Sequence, residues 1–227
     1  VGSEMCIRDS HISLLAVVAK LFHLLRIVAT PLYMVPPSIG MRIGDDEIKF
    51  LTGFKCDPAP EGEDYMRLAA IGDMACDILL GDSSPLYQRL YEQGLINTSF
   101  GGAFEMMPGV AYLYAGGDSK ESRTVAAEIL KEARRLSTEG IDEDFYQRVR
   151  KAAFGENLRG LNSFENIAVT LTEGYFHGYD PLRFPQVFDT IGKGDIEAFL
   201  ARNITEERAV LSEIVPRDDT DTEKEGT

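Results

Sequence analysis

Glu173 and His177 have residue types and a spacing that could hold a metal ion. They lie four residues apart near the end of a predicted helix, so both side chains would share one face. Catalytic zinc, however, usually has three protein ligands, and no third candidate is near them in the sequence. We therefore favour a structural role for this pair.

Ser83 and Ser84, in the sequence GDSSP, are the candidates for a nucleophile. Neither lies in a G-x-S-x-G turn, and no histidine is placed to act as a base. A serine before a proline is typical of a helix start, because its hydroxyl caps a free backbone amide. Ser84 is therefore predicted to be a helix cap. The glycines of SFGGAF and YAGGDSKES form no phosphate-binding motif, and we interpret them as strand and turn glycines.

The cysteines indicate the redox compartment of the protein, and the net charge disfavours two classes of partner. Cys56 and Cys76 have no C-x-x-C spacing and form no disulfide framework, which favours buried thiols and a reducing, cytoplasmic environment. The formal net charge of the 227-residue chain is -14. A phosphate backbone would be repelled by this charge, so nucleic acid and anionic membrane surfaces are disfavoured as partners.

The beginning of the chain differs from the rest. Residues 1–10, VGSEMCIRDS, fit the translation of a sequencing adapter, so we expect them to be an artefact and the reading frame after them to have lost its start. Residues 11–34 are apolar and contain no acidic residue. They could be an out-of-frame stretch, a buried helix or a membrane anchor. The first is favoured and the last is disfavoured, because Lys20 and Arg26 would lie near the bilayer centre.

Residues 35–216 are predicted to form one domain, and the acidic residues 217–227 are too polar to fold. Alternating apolar residues predict strands at 39–43 and 48–54, a hairpin from 98 to 114 that turns at Met107-Pro108-Gly109, and a last strand at 209–215. Apolar residues three and four apart predict helices at 64–80, 84–94, 118–136, 142–153, 163–174, 184–190 and 195–202. Asp118 and Glu121 are predicted to form a capping box. This order predicts an α+β fold with a largely antiparallel sheet and helices packed on one face.

Several motifs in this order resemble the insulinase-type (pitrilysin-like) zinc metallopeptidases, closest to small bacterial members akin to mitochondrial processing peptidase. The motifs are SSPLYQRLYEQGLINTSF, GVAYLYAGGDSKE, GIDEDFYQRVRKAAFGENLRGLNSFENIA and LSEIVP. The resemblance runs from about residue 36 to 216 and is to the second half of such proteins. It implies one α+β half of a two-half peptidase, whose first half would hold zinc through an H-x-x-E-H motif. That motif is absent from all 227 residues.

Two positions match an arginine and a tyrosine that many relatives use to hold the substrate. The family pattern resembles L-R-x-x-x-G-L-x-Y, and the matching run here is LYEQGLIN. Tyr91 stands at the arginine position and Asn97 near the tyrosine position, so neither family residue is retained. The resemblance therefore marks Tyr91 and Asn97 as substrate-binding positions. For this chain taken alone, helix packing and a strand entry are the favoured roles.

The resemblance implies the C-terminal, substrate-chamber half of a zinc-dependent endopeptidase subunit that acts on peptides or unfolded protein segments. This chain alone would be inactive, with no catalytic residue, no metal ligand and no bound cofactor of its own. Its expected partners are the missing N-terminal half, a sister subunit or a second copy, and the peptide substrate. A non-catalytic structural or substrate-holding subunit of the same fold is the alternative. A membrane anchor at residues 11–34 is a third hypothesis.

Overall fold

The computed structural model of the chain describes residues 38–43 and 48–216. The predictions for residues 1–10, 11–34 and 217–227 lie outside these ranges and stay predictions. Within the described ranges, no helix is both long enough and apolar enough to cross a membrane.

Five strands form one sheet in the order β1-β5-β2-β4-β3. They are β1 (Ser38–Ile43), β2 (Lys49–Lys55), β3 (Gly101–Met107), β4 (Val110–Asp118) and β5 (Ala209–Pro216). Only β1 and β5 run parallel, and the other three neighbouring pairs are antiparallel. The predicted α+β fold with a largely antiparallel sheet is therefore confirmed.

Seven α-helices are present in the described residues. They are α1 (Glu63–Leu80), α2 (Pro85–Glu92), α3 (Ser122–Glu139), α4 (Glu143–Gly160), α5 (Phe164–His177), α6 (Phe184–Asp189) and α7 (Lys193–Asn203). Each lies where the apolar periodicity predicts one. Side-chain caps stabilise three of the helix starts. The side-chain oxygens of Ser84, Asp142 and Ser163 accept hydrogen bonds from backbone N–H groups, with N···O distances of 3.0, 2.8 and 3.3 Å.

The sheet buries one face against the helices. Along β4, Ala111, Leu113 and Ala115 are buried, whereas Tyr112 and Tyr114 on the opposite face are partly exposed. On the neighbouring strand β2, Phe54 pairs with Leu113 and is fully buried. This alternation places the apolar core on the helix-covered face, as expected for an antiparallel sheet.

Helix α1 is the central element of that core and packs against β3, α4, α6 and α7. Its predicted inner face is confirmed, because the four residues that mark it are buried: Ile71, Met74, Ala75 and Ile78. Gly72 lets the helix approach the sheet closely, since a Cβ at this position would lie 2.1 Å from the Phe104 ring. The close approach positions α1 beside the edge strand β3.

The predicted capping box of Asp118 and Glu121 is wrong. Asp118 is the last residue of β4, and its carboxylate pairs with Lys49 at 3.2 Å. Helix α3 begins four residues later, and the side chain of its N-cap residue Glu121 makes no capping hydrogen bond. Lys49 lies directly opposite Asp118 on the neighbouring strand β2. The local sequence pattern does not show this pairing of strands. The predicted strand start at Thr98 is also early, because residues 97–100 form a turn before β3.

Candidate functional site

Tyr91 lies in the last turn of α2 with about half of its surface exposed. Its ring is nearly parallel to that of Tyr87, with centroids 6.0 Å apart and an interplanar angle of 8°. Tyr87 in turn packs against the buried ring of Phe100. Tyr91 therefore caps a small aromatic stack at the surface, and its hydroxyl carries no positive charge that could replace an arginine.

Asn97 organises the turn between α2 and β3. Its side-chain oxygen accepts the Ser99 N–H at 2.7 Å, and the Ser99 hydroxyl accepts the Asp118 N–H at 2.9 Å. Partial burial raises the pKa of Asp118, but hydrogen bonds from Ser99 and Lys49 outweigh it and lower the pKa. Asn97 is thus tied into a turn network, and the substrate-binding assignment of Tyr91 and Asn97 stays a prediction.

His177 ends helix α5, and its ring lies on an aromatic neighbour. The ring stacks on Tyr65 with centroids 4.0 Å apart, and the Tyr179 ring centroid lies 5.9 Å from that of Tyr65 and 6.5 Å from that of His177. Within residues 38–43 and 48–216, no three His, Cys, Asp or Glu side chains are arranged to hold a metal ion. The ring contacts agree with the structural role favoured for His177, whereas Glu173 is exposed and its role stays a prediction.

Of the candidate nucleophiles, Ser84, Cys56 and Cys76 are buried, whereas Ser83 is exposed. Ser84 is fully buried, and its hydroxyl accepts the Tyr87 N–H, which confirms the predicted helix cap. Burial raises the pKa of Cys56 and of Cys76 to about 12. Both thiols are therefore protonated at neutral pH and behave as small apolar core residues.

A cavity of about 520 Å³ lies between α1, β3 and the helices α4 to α6. We name it the acidic cavity. Its walls include apolar and aromatic side chains, namely Met66, Ala69, Ala70, Phe104, Ala153, Phe184 and Phe188. Asp73 and Asp77, one turn apart on α1, line it together with Glu156 of α4. Cavities of this size with a few polar groups are typical of binding sites.

The cavity raises the pKa of Asp73 and of Asp77. Asp73 and Asp77 are open to water, but the concave wall displaces much of their hydration. This desolvation, followed by repulsion from Asp77, Glu105 and Glu156, raises the pKa of Asp73 from 3.8 to about 7. Desolvation and then Glu156 also raise the pKa of Asp77. A cationic ligand would offset the repulsion among these carboxylates and favour their ionised form.

The raised pKa of Asp73 links the cavity to stability. The folded chain binds a proton at Asp73 between about pH 4 and pH 7 that an unfolded chain does not hold. The free energy of unfolding contributed by this group therefore falls as the pH rises through this interval. Above it, the ionised Asp73 opposes folding.

Sequence reasoning missed the acidic cavity. From the sequence, Asp73 and Asp77 would be assigned to the solvated face of an amphipathic helix, where acidic residues usually lie. One signal could have marked them. Asp73 and Asp77 are four residues apart on one helix face, and each directly follows a buried residue, Gly72 or Cys76. Glu156 is 79 residues beyond Asp77, and only the packing of α4 on α1 brings the two to one cavity.

The cavity does not fit the zinc that the family resemblance implies. Zinc favours histidine nitrogen and thiolate sulfur, whereas no histidine lines this cavity and the Cys76 thiol is protonated. We therefore derive no zinc chemistry from the described residues.

Comparison with known proteins agrees with the resemblance. Residues 41–153 match the family described as the peptidase M16 inactive domain. The chain is 28% identical over 170 residues to the uncharacterized zinc protease YmfH of Bacillus subtilis (strain 168), covering 74% of this chain and 40% of that protein.

Two solved structures share the fold. An M16-like peptidase from Alicyclobacillus acidocaldarius superposes with a TM-score of 0.74 and 21% identity, covering 80% of this chain and 44% of that one. The inactive peptidase domain of a zinc protease from Bordetella parapertussis gives a TM-score of 0.63 and 15% identity, covering 79% of this chain and 96% of that one. The chain thus spans less than half of the Bacillus and Alicyclobacillus proteins.

Proposed function

Because the chain belongs to the M16 peptidase family and carries its inactive, C-terminal domain, we propose that it is the substrate-chamber half of a zinc-dependent endopeptidase subunit. The observation that carries this proposal is the match of residues 41–153 to the inactive domain of the family. The absence of H-x-x-E-H from the sequence is in keeping with it. In this proposal the zinc and the glutamate that activates water lie in an N-terminal half, and this half holds the substrate.

An open sheet edge supports the holding of extended substrates. In the described residues β3 pairs only with β4, so its other edge has no strand partner. An extended peptide can hydrogen-bond to such an edge through its backbone, largely independent of its sequence. Peptides and unfolded protein segments are therefore the substrates we propose.

We also propose the partners and the setting. The first partner is the N-terminal half of the same protein, and the second is a sister subunit or another copy of the chain. Two free, buried cysteines, Cys56 and Cys76, favour the cytoplasm of a bacterium, where thiols stay reduced.

A structural or substrate-holding subunit without catalytic activity is the alternative. It would use the same fold and the same open β3 edge, so the inactive domain supports both functions equally. The two differ only in the N-terminal half, which carries the zinc motif in one case and lacks it in the other.

A peptide assay tests the holding function. We expect the purified chain to bind a fluorescein-labelled, unstructured ten-residue peptide, with and without added zinc. We expect no cleavage of a fluorogenic version of the same peptide, because the chain lacks H-x-x-E-H. Zinc-dependent cleavage by this chain alone, or no peptide binding under any condition, would contradict the proposal.

A further inference from the structure

We propose that the acidic cavity binds the lysine or arginine side chain of an extended peptide held by this domain. This inference rests on the proposed peptide-holding function and deepens it by naming a side-chain preference. It stands on three features of the described residues: a cavity of side-chain size, unpaired carboxylates in it, and an open strand edge at its rim.

The carboxylates of the cavity are exposed to water and differ from other acids of the chain in their lack of a cationic partner. Asp195 pairs with Arg67 at 2.8 Å, and Glu132 pairs with Arg89 and Arg135, so each of these charges is matched. Asp73, Asp77 and Glu156, by contrast, form no side-chain hydrogen bond or ion pair in the described part of the chain. Three crowded carboxyl groups without a cation attract one from outside.

The apolar walls suit a long side chain with a charge at its end. Met66, Phe184 and Phe188 line the cavity beside the carboxylates. Lysine and arginine have an apolar stem and a cationic tip, and they bury the stem along apolar surface while the tip meets polar groups. A small metal ion would contact the carboxylates and leave the apolar lining unused, and an anion would be repelled by the carboxylates.

The edge strand β3 connects the cavity to a peptide backbone. Gly102, Ala103 and Phe104 line both the open edge of the sheet and the cavity. Side chains of an added strand alternate between the two faces of the sheet, so every second residue of a bound peptide would point towards the helix-covered face. One of these could enter the acidic cavity while the backbone stays on β3.

The charge of the whole chain favours the same ligand. With 37 acidic and 23 basic residues, the chain attracts cationic segments over a distance and repels anionic ones. This attraction acts on the approach of the peptide. The cavity then supplies the local contact that distinguishes a basic side chain from a neutral one of the same length.

Fluorescence anisotropy with matched peptides tests the inference. Three labelled ten-residue peptides differ only at the central residue, which is lysine, norleucine or glutamate. Norleucine keeps the length of the stem and lacks the charge, so we expect its peptide to bind about tenfold more weakly than the lysine peptide. The glutamate peptide should bind more weakly still. Equal binding of the lysine and norleucine peptides would overturn the inference.

The double variant Asp73→Asn/Asp77→Asn locates the site. It should remove the preference for lysine, whereas Glu61→Gln/Asp82→Asn removes the same charge from exposed positions outside the cavity and should keep it. We expect the cavity variant to remain folded, with a higher Tm at pH 8, because it loses the crowded carboxylates. An unchanged preference in the cavity variant, or equal losses in both variants, would overturn the proposal.

The outcomes also separate the inference from the function on which it rests. If all three peptides bind alike, the domain holds peptides without this preference, and only the inference fails. If none binds, the holding function fails and the inference fails with it.

Discussion

Replacement of Phe188 by alanine is expected to lower the free energy of unfolding by about 3–5 kcal/mol, the usual cost of removing a buried phenylalanine ring. Phe188 is 1% exposed and packs against the rings of Phe154 and Phe184, with centroid distances of 5.6 and 5.2 Å. The Arg150 guanidinium lies 5.0 Å above its ring. Deletion would remove these contacts and open the wall of the acidic cavity.

Urea denaturation measures this loss, and Phe164→Ala is the matched control. Phe164 is the same residue type but 93% exposed at the start of α5, so its removal should change stability by no more than about 0.5 kcal/mol. Similar losses in the two variants would show that α6 does not pack as described. A Phe188→Ala variant as stable as the parent would contradict the assignment of α6 to the core.

Replacement of Gly72 by alanine is expected to destabilise the chain by about 2 kcal/mol, which is the cost of overpacking a tight site. Helix propensity alone predicts that the substitution stabilises the chain, because alanine in a helix interior is favoured over glycine by about 1 kcal/mol. Here the new Cβ would lie 2.1 Å from Phe104, and the Phe104 ring is held edge-on against Phe199 at 5.4 Å. The ring cannot yield without disturbing a second buried ring.

Gly155→Ala is the control for Gly72→Ala. Gly155 is also inside a helix, α4, and a Cβ there would meet no atom within 4 Å. We expect this variant to gain up to about 1 kcal/mol from helix propensity. Thermal unfolding followed by circular dichroism should therefore move Tm in opposite directions in the two variants. A gain in both would mean that α1 does not approach β3 as closely as described.

The sequence predicts local structure well where one periodicity dominates. The inner face of α1, the hairpin at Pro108-Gly109 and the cap at Ser84 all follow from residue spacing and turn chemistry. The sheet order does not follow. Strand β5 is the last of the described strands, yet it lies between β1 and β2, because strand neighbours depend on long-range packing that a single sequence does not display.

The same limit explains the acidic cavity and the error at Asp118. Asp77 and Glu156 belong to helices that meet only in the folded chain. Asp118 pairs with Lys49, which lies on the neighbouring strand and 69 residues away in the sequence. A local pattern assigns such residues to a solvated face or a helix cap. Burial and partner charge, which decide their behaviour, appear only once the elements are packed.

The most direct test of the central claim is to sequence the source gene upstream of the codon for His11. We predict an open reading frame that continues upstream and encodes an H-x-x-E-H motif with a downstream glutamate. An upstream half without that motif would favour the structural subunit over the peptidase. An in-frame start codon where the adapter-like residues 1–10 end, with no upstream half, would contradict the claim that this domain is one half of a zinc peptidase.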